Sequence, residues 1–304
     1  MMVSTKQVFL VTGGNSGIGL ECSRALAKLA NTHVIVAGRN KQRIDEAVAD
    51  IRRTASSSSV VEAGIFDLSS LKSVRAYADS LIQRDLHFFS VICNAGLQTK
   101  KQSTTADGFE LTIGTNHIGH FLLVKLLIDR TKRVINLTSE THDPAETKGT
   151  GIPPPNMSNL DLLAKGYPKY DMMQIYATSK LCTLLHALEI VRRYPGGPEV
   201  IAYSPGLTPD TGLFREHSKL VVPILKFFLK IIFWIRGERM STSLYSGAYL
   251  AGIAAADSLG AKGWKTGDYF SIDRVVTPSE QARDPVLAKA FWEKSEEWVR
   301  PFAN

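Results

Sequence analysis

Short runs of aliphatic and β-branched residues alternate with stretches of helical periodicity along most of this chain. Gln7–Val11, His33–Ala37, Val60–Phe66, Phe88–Cys93, Arg133–Thr138 and Val200–Tyr203 have the length and composition of buried strands. Between them lie amphipathic segments that predict helices. These are Ile18–Leu29, a charged stretch ending at Arg53, Ser70 to about Arg84, a long helix near Phe109–Leu127, and one covering Tyr176 and Lys180. Val200–Tyr203 is expected to close the series.

Strand–helix alternation at these lengths implies right-handed crossovers and a parallel sheet with helices on both faces. The expected fold is therefore α/β, a doubly wound parallel sheet (Rossmann fold) in a single domain spanning residues 1–304. Two segments interrupt the alternation. Residues 143–166 are rich in Pro, Gly and polar groups and predict an irregular insertion; residues 207–240 predict a second, helical excursion. Both leave the sheet where its strands end. In such sheets ligands bind beyond the carboxyl ends of the strands, so both insertions are expected to shape a substrate site.

Composition narrows the picture. With 304 residues, 44% hydrophobic and 21% charged, the chain can bury a sizeable core. The formal charge of +7 is scattered rather than clustered and accompanies no nucleic-acid motif, so an anionic cofactor or a membrane surface explains it and nucleic acid is not an expected partner. Cys22, Cys93 and Cys182 form an odd set with no CxxC pair, which argues against a disulfide framework or a zinc site. The cytoplasm or another reducing compartment is expected. A first strand beginning by Val8 leaves no room for a signal or transit peptide.

Leu220–Ile235 (LVVPILKFFLKIIFWI) approaches membrane-span composition but is shorter than the roughly 20 apolar residues a span needs. On a helix, Lys219, Lys226 and Lys230 share one stripe. Residues 219–236 therefore suit a pocket lid, a dimer contact in a homo-oligomer, or a helix lying in a membrane interface.

The first strand runs into Thr12-Gly13-Gly14-Asn15-Ser16-Gly17-Ile18-Gly19. Glycines here let the backbone approach a pyrophosphate at a helix N-terminus, where free N–H groups and the helix dipole favour anions. The spacing is GxxxGxG, not the GxGxxG dinucleotide fingerprint, so placement between strand and helix carries the assignment. After the second strand comes Gly38-Arg39-Asn40-Lys41, without the acid that usually meets a ribose 2′-hydroxyl. A guanidinium suits a 2′-phosphate, so NADPH/NADP+ is the expected cofactor; a solvated turn is the plainer reading of Arg39. Asp67-Leu68 and Asn94-Ala95-Gly96, after the third and fourth strands, are expected beside the adenine and the ribose.

Tyr176 and Lys180 lie one helical turn apart on the same face. A free phenol has a pKa near 10; a neighbouring ammonium and an oxidised nicotinamide would favour phenolate and fit the phenol for proton transfer to or from a carbonyl oxygen. Ser139, at the end of its strand, can hydrogen-bond the same oxygen. A YxxxK pair alone is usually an ordinary pair on a helix surface.

Taken together and in this order, TGxxxGIG, NAG, Asn116, Ser139 and YxxxK resemble the short-chain dehydrogenase/reductase family over nearly the whole chain. The resemblance implies a catalytic tetrad of Asn116, Ser139, Tyr176 and Lys180, with the Lys also holding the nicotinamide ribose and the Asn supporting a proton-relay water. It places Pro205-Gly206 beside the nicotinamide. The family's usual Thr four residues after this Gly is Asp210 here, leaving Thr208 and Thr211 as candidate contacts to the carboxamide.

Within the family, the Asp107–Phe121 stretch (DGFELTIGTNHIGHF), the Thr211–His217 run and the Gln281–Pro285 tail look closest to the protochlorophyllide reductase and retinol dehydrogenase-like branch. Cys182 also occurs in the protochlorophyllide enzymes, though a small buried hydrophobe is its plainer reading. Asn94-Ala-Gly-Leu-Gln departs from their usual second Ala and Tyr, and the insertion before Tyr176 is shorter than theirs. The expected activity is NADP(H)-dependent hydride transfer to or from the carbonyl or alcohol of an apolar molecule of retinoid, steroid, polyketide or lipid type. The alternatives are light-driven reduction of a carbon–carbon double bond in a tetrapyrrole, and a catalytically silent NADPH-binding module.

Overall fold

A computed structural model describes residues 6–210 and 240–303. Strands β1 (Gln7–Thr12), β2 (Thr32–Gly38), β3 (Val60–Ile65), β4 (Phe88–Cys93), β5 (Arg133–Leu137), β6 (Glu199–Ser204), β7 (Tyr269–Ser271) and β8 (Arg274–Val276) form one sheet in the order β3-β2-β1-β4-β5-β6-β7-β8. All neighbouring pairs are parallel except β7–β8, which is antiparallel. The strand order reverses between β1 and β4, and their carboxyl ends open a crevice there.

Alternation along the strands explains why helices cover both faces. Leu10, Ile35, Val91, Val134 and Val200 point into one core, packed by α3 (Leu71–Gln83), α5 (Gly119–Leu127), α7 (Met172–Arg193), the short α9 (Glu280–Arg283) and α10 (Pro285–Ala303). Phe9, Val34, Ile92, Ile135 and Ile201, each one residue away, point into the other. That core is closed by α1 (Gly17–Lys28), α2 (Lys41–Arg52) and α8 (Ser243–Ala254). The interior strands β1, β2, β4, β5 and β6 are hydrophobic on both faces because neither faces water, whereas the edge strands β3 and β8 are partly or wholly exposed.

Where the structure differs from the sequence-based expectation, short elements and local departures account for it. The series does not close at β6: β7 and β8 are three residues each, too short to give a periodic signal, and they extend the sheet. The long helix begins with α4 (Leu111–Ile113) and passes through a π-helical stretch, Gly114–Ile118, before α5. Residues 143–166 are not wholly irregular, since they hold α6 (Leu160–Lys165), N-capped by Asn159. Residues 211–239, including the apolar Leu220–Ile235 stretch, Thr211 and most of the 207–240 excursion, lie outside the described residues. Its two ends meet, however: Leu207 pairs with Met240, and Asp210 accepts hydrogen bonds from the Ser243 N–H at the start of α8.

Helix α10 lies across α5, α7 and α3. It is held there by His117–Ser295 (2.8 Å), Lys125–Glu296 (2.8 Å) and Arg75 to the Phe302 carbonyl (3.2 Å). Residues Leu111–Arg130 are long and apolar enough to cross a membrane, but 83% of that window is buried inside the fold, as a core helix must be. Cys22, Cys93 and Cys182 are buried free thiols.

Candidate active site

The Gly-rich turn links β1 to α1 at the crevice. Gly13 and Gly17 have φ of +64° and +54°, a region that side chains with a Cβ disfavour. Gly19 permits a closer approach still. A Cβ there would lie 2.4 Å from Asn94 Nδ2 and 2.5 Å from the Gly13 carbonyl oxygen. Asn94 ties the turn to the end of β4 by donating to the Thr12 and Gly13 carbonyls (2.7 and 3.4 Å), and the Ala95 N–H donates to Thr12 Oγ1 (3.0 Å). Ser16, the N-cap of α1, makes no side-chain bond to the first turn, and that turn holds no acid. By contrast Asn40, Ser70 and Asp171 cap α2, α3 and α7 with their side chains. Free N–H groups at α1 beside a turn with no bulk suit a pyrophosphate.

Arg39 and Asn40 stand exposed at the end of β2. Asn40 accepts from the Arg43 N–H (3.0 Å), whereas the Arg39 guanidinium has no hydrogen-bonding or ionic partner among the described residues. Asn15 Oδ1 lies 3.4 Å from where a Gly38 Cβ would be, so the Gly-rich turn and the β2 exit adjoin. Asp67 turns its carboxylate onto Ser69, accepting from its N–H (2.9 Å) and hydroxyl (2.7 Å); Leu68 is buried below. The predicted cofactor residues Gly13, Asn15, Ser16, Gly17, Ile18, Gly19, Arg39, Asn40, Asp67, Leu68, Asn94, Ala95 and Gly96 thus follow the carboxyl ends of β1, β2, β3 and β4. Pro205, Gly206 and Thr208 follow β6. The Thr208 hydroxyl donates towards the Pro205 and Gly206 carbonyls, and Asp210 is engaged by α8.

The four residues expected to form the tetrad converge on this edge. Asn116 sits in the π-helical stretch, fully buried. Its Oδ1 accepts from the Leu97 N–H (2.8 Å), and its Nδ2 donates to the Leu97 carbonyl and to Ser179 Oγ (3.0 Å each). A Cβ on Gly96 would lie 3.5 Å from Lys180 Nζ and 3.6 Å from Asn116 Oδ1, so the chain after β4 passes directly over both. Lys180 Nζ donates to the Leu137 carbonyl (3.1 Å) and lies 5.5 Å from the centre of the Tyr176 ring. Burial brings the ammonium down to about 8.

Tyr176 is also buried, which pushes its phenol well up, while a hydrogen bond with Ser139 works the other way. The sequence points to a phenol lowered by Lys180 and an oxidised nicotinamide together; in the protein itself desolvation is the largest influence on Tyr176.

Sequence reasoning missed two histidines that hold two of these expected residues, Asn116 and Ser139, by their backbone carbonyls. His120 Nδ1 lies 3.0 Å from the Asn116 carbonyl oxygen and its Nε2 lies 2.9 Å from Thr12 Oγ1. His142 Nδ1 lies 2.7 Å from the Ser139 carbonyl oxygen, and the Ser279 N–H donates to its Nε2 (3.4 Å). Each is three or four residues beyond the tetrad member it supports, a spacing visible in the sequence once the backbone carbonyl is known to be the target. Cys182, by contrast, packs into the core with its Sγ 3.9 Å from Met157 Sδ, and burial pushes its thiol up.

A sequence model described as short chain dehydrogenase matches residues 7–146. Protochlorophyllide reductase of Daucus carota, a chloroplastic enzyme, is 32% identical over 318 residues, covering 95% of this chain and 77% of that protein. Among solved structures, an uncharacterised protein of Mycobacterium paratuberculosis superposes with a TM-score of 0.71 at 27% identity, covering 97% of this chain and 94% of the other. A 3-oxoacyl-[acyl-carrier protein] reductase of Brucella melitensis, solved with NAD, shares the fold at 17% identity with a TM-score of 0.62, covering 88% and 96%. The chain therefore belongs to the short-chain dehydrogenase/reductase family. It is an oxidoreductase of that family, whose members bind a nicotinamide cofactor.

Proposed function

We propose that this protein is an NADP(H)-dependent oxidoreductase that transfers hydride between the nicotinamide and the carbonyl or alcohol carbon of an apolar small molecule, with Tyr176 as the acid and base. The convergence of Tyr176, Ser139, Asn116 and Lys180 beside the Gly-rich turn carries this reading; all four are present, which speaks against a silent binding module. The residues fit a dinucleotide: bare N–H groups at α1, glycines where a Cβ would collide, and, at the β2 exit, a guanidinium without a partner among the described residues. Arg39 supports NADPH over NADH because a guanidinium grips a phosphate bidentately.

NADPH held by the Gly-rich turn and Arg39 would supply the hydride that the carbonyl carbon accepts. Ser139 donates a hydrogen bond to the carbonyl oxygen and orients it. The Tyr176 hydroxyl gives that oxygen its proton, and the phenolate left behind is stabilised by the Lys180 ammonium. A proton taken up from solvent restores the Tyr176 hydroxyl, and alcohol oxidation runs the same steps backwards. Replacing Tyr176 with Phe should abolish most turnover while NADPH still binds; turnover retained in that variant overturns the reading.

The similarity to protochlorophyllide reductases over 95% of the chain favours one second reading, light-driven carbon–carbon double-bond reduction on a tetrapyrrole. Purified protein with NADPH and protochlorophyllide, compared by absorbance in darkness and after a flash, tests it. A light-dependent product selects this reading, and its absence excludes it.

Three buried free thiols support residence in a reducing compartment, cytoplasmic or otherwise. Because α10 covers α5 and α7, a homo-oligomer would have to use another face. Membrane contact through residues 219–236 remains a separate proposal, tested by vesicle flotation.

A further inference from the structure

Thr12 ends β1, one residue before the Gly-rich turn, and its buried hydroxyl is a junction. It accepts from the Ala95 N–H (3.0 Å) and faces two acceptors, the Ile92 carbonyl at 3.2 Å and His120 Nε2 at 2.9 Å. The other imidazole nitrogen settles the roles. Nδ1 lies 3.0 Å from the Asn116 carbonyl oxygen, which can only accept, so Nδ1 carries the proton. In a neutral ring Nε2 is then bare and accepts from Thr12. The ring is buried beside Lys180, and desolvation keeps it neutral down to about 4.

The result is a directional chain: Ala95 N–H to Thr12 Oγ1, Thr12 O–H to His120 Nε2, His120 Nδ1–H to the Asn116 carbonyl. On the side-chain end Asn116 continues to Ser179 Oγ, which donates to the Tyr176 carbonyl (2.7 Å). Thus one imidazole spans the phosphate-side turn and the helix that carries the tetrad Asn. Asn116 itself lies in the π-helical stretch Gly114–Ile118.

We propose that His120 is a positioning residue that couples the dinucleotide turn to the acid–base group, using Nε2 to hold Thr12 and Nδ1 to hold Asn116. This rests on the NADPH reading of the same site.

Three substitutions separate the two ends. In His120→Asn the amide N–H replaces Nδ1–H and reaches Asn116 but falls short of Thr12. In His120→Gln the amide oxygen replaces Nε2 and holds Thr12 but frees Asn116. His120→Leu loses both contacts at similar bulk. Two measurements need no substrate: the NADPH dissociation constant by fluorescence, and the Tyr176 ionisation midpoint in the NADP+ complex by ultraviolet difference against Tyr176→Phe. His120→Asn should weaken NADPH about tenfold and leave the Tyr176 midpoint in place. His120→Gln should keep NADPH affinity and raise the midpoint by about one unit. His120→Leu should do both.

The proposal is overturned if His120→Leu matches the wild type in both measurements, or if all three variants move both by the same amount, as a mere space-filler would. If His120→Leu does not fold, the two polar variants decide. Should the wild type bind no NADPH, the cofactor reading fails by itself. The ¹⁵N shifts of the His120 ring in the free protein then decide the link: Nδ1–H with an accepting Nε2 upholds it, and the reverse tautomer overturns it.

Discussion

Lys180 Nζ lies over the face of the Tyr176 ring, 5.5 Å from its centre, and donates to the Leu137 carbonyl at the end of β5. The ammonium is therefore anchored by the sheet. A charge fixed this way stabilises phenolate without having to reorganise during the reaction. Replacing Lys180 with Met should lower kcat by about a hundredfold or more, comparable to the loss expected from Tyr176→Phe. Steady-state kinetics with a reducible carbonyl checks both. Because the ammonium titrates near 8 in the free protein, kcat/KM of the wild type should fall as pH rises through about 8, where the cation is lost. A profile flat through that range would contradict the assignment.

Arg39 has no partner among the described residues and stands exposed at the exit of β2, where the proposed NADPH reading puts the 2′-phosphate. Replacing it with Ala removes charge-assisted bonds worth about 1.5–3 kcal/mol each. NADPH affinity should fall about tenfold or more, while NADH affinity changes little. Fluorescence titration with both nucleotides gives the ratio directly, and an equal loss for the two would show that Arg39 does not read the phosphate.

Gly19→Ala puts a methyl within 2.5 Å of the Gly13 carbonyl and closer still to Asn94 Nδ2. Neither can retreat easily: one is backbone, and the other is held by Thr12. The variant should lose about 1–3 kcal/mol of stability and most NADPH binding, read as a lower Tm and a flat titration. Normal binding would mean that the turn is looser than this geometry implies.

Acid should destabilise the fold through histidines buried as neutral rings. Desolvation lowers His120 to about 4, His186 to about 3, and His117 well below its ordinary value, His117 and His186 beneath α10. The unfolded chain takes up these protons near pH 6.5 and the folded chain does not, so stability falls as pH drops below about 6.5. At pH 4, His120 alone contributes about 3 kcal/mol of this loss. Replacing His186 with Gln should flatten the dependence of Tm on pH between about 6 and 4. An unchanged slope would assign acid lability to other groups.

Much of this protein is legible in its sequence because long elements announce themselves. The first six strands are longer than three residues and, apart from the edge strand β3, apolar on both faces, and the expected bounds lie within a residue or so of the observed ones. The β7 and β8 strands escaped because three residues carry no period, and α6 because six residues make fewer than two turns. The π-helical stretch at Gly114–Ile118 is invisible to periodicity, since its extra residue per turn perturbs a single cycle.

The sequence by itself determined the alternating α/β order, the Gly-rich turn after β1, the Arg in place of an acid after β2, and the Tyr–Lys pair one turn apart. These are local facts, set by neighbours along the chain. Tertiary structure alone decided which groups His120 and His142 hold, that Asn116 secures Leu97 and Ser179, and that α10 covers α5 and α7. It also decided that burial, rather than Lys180, dominates the free Tyr176. Hydrogen bonds between distant segments and the loss of water around a side chain depend on how the elements pack, and spacing along a chain carries no record of either.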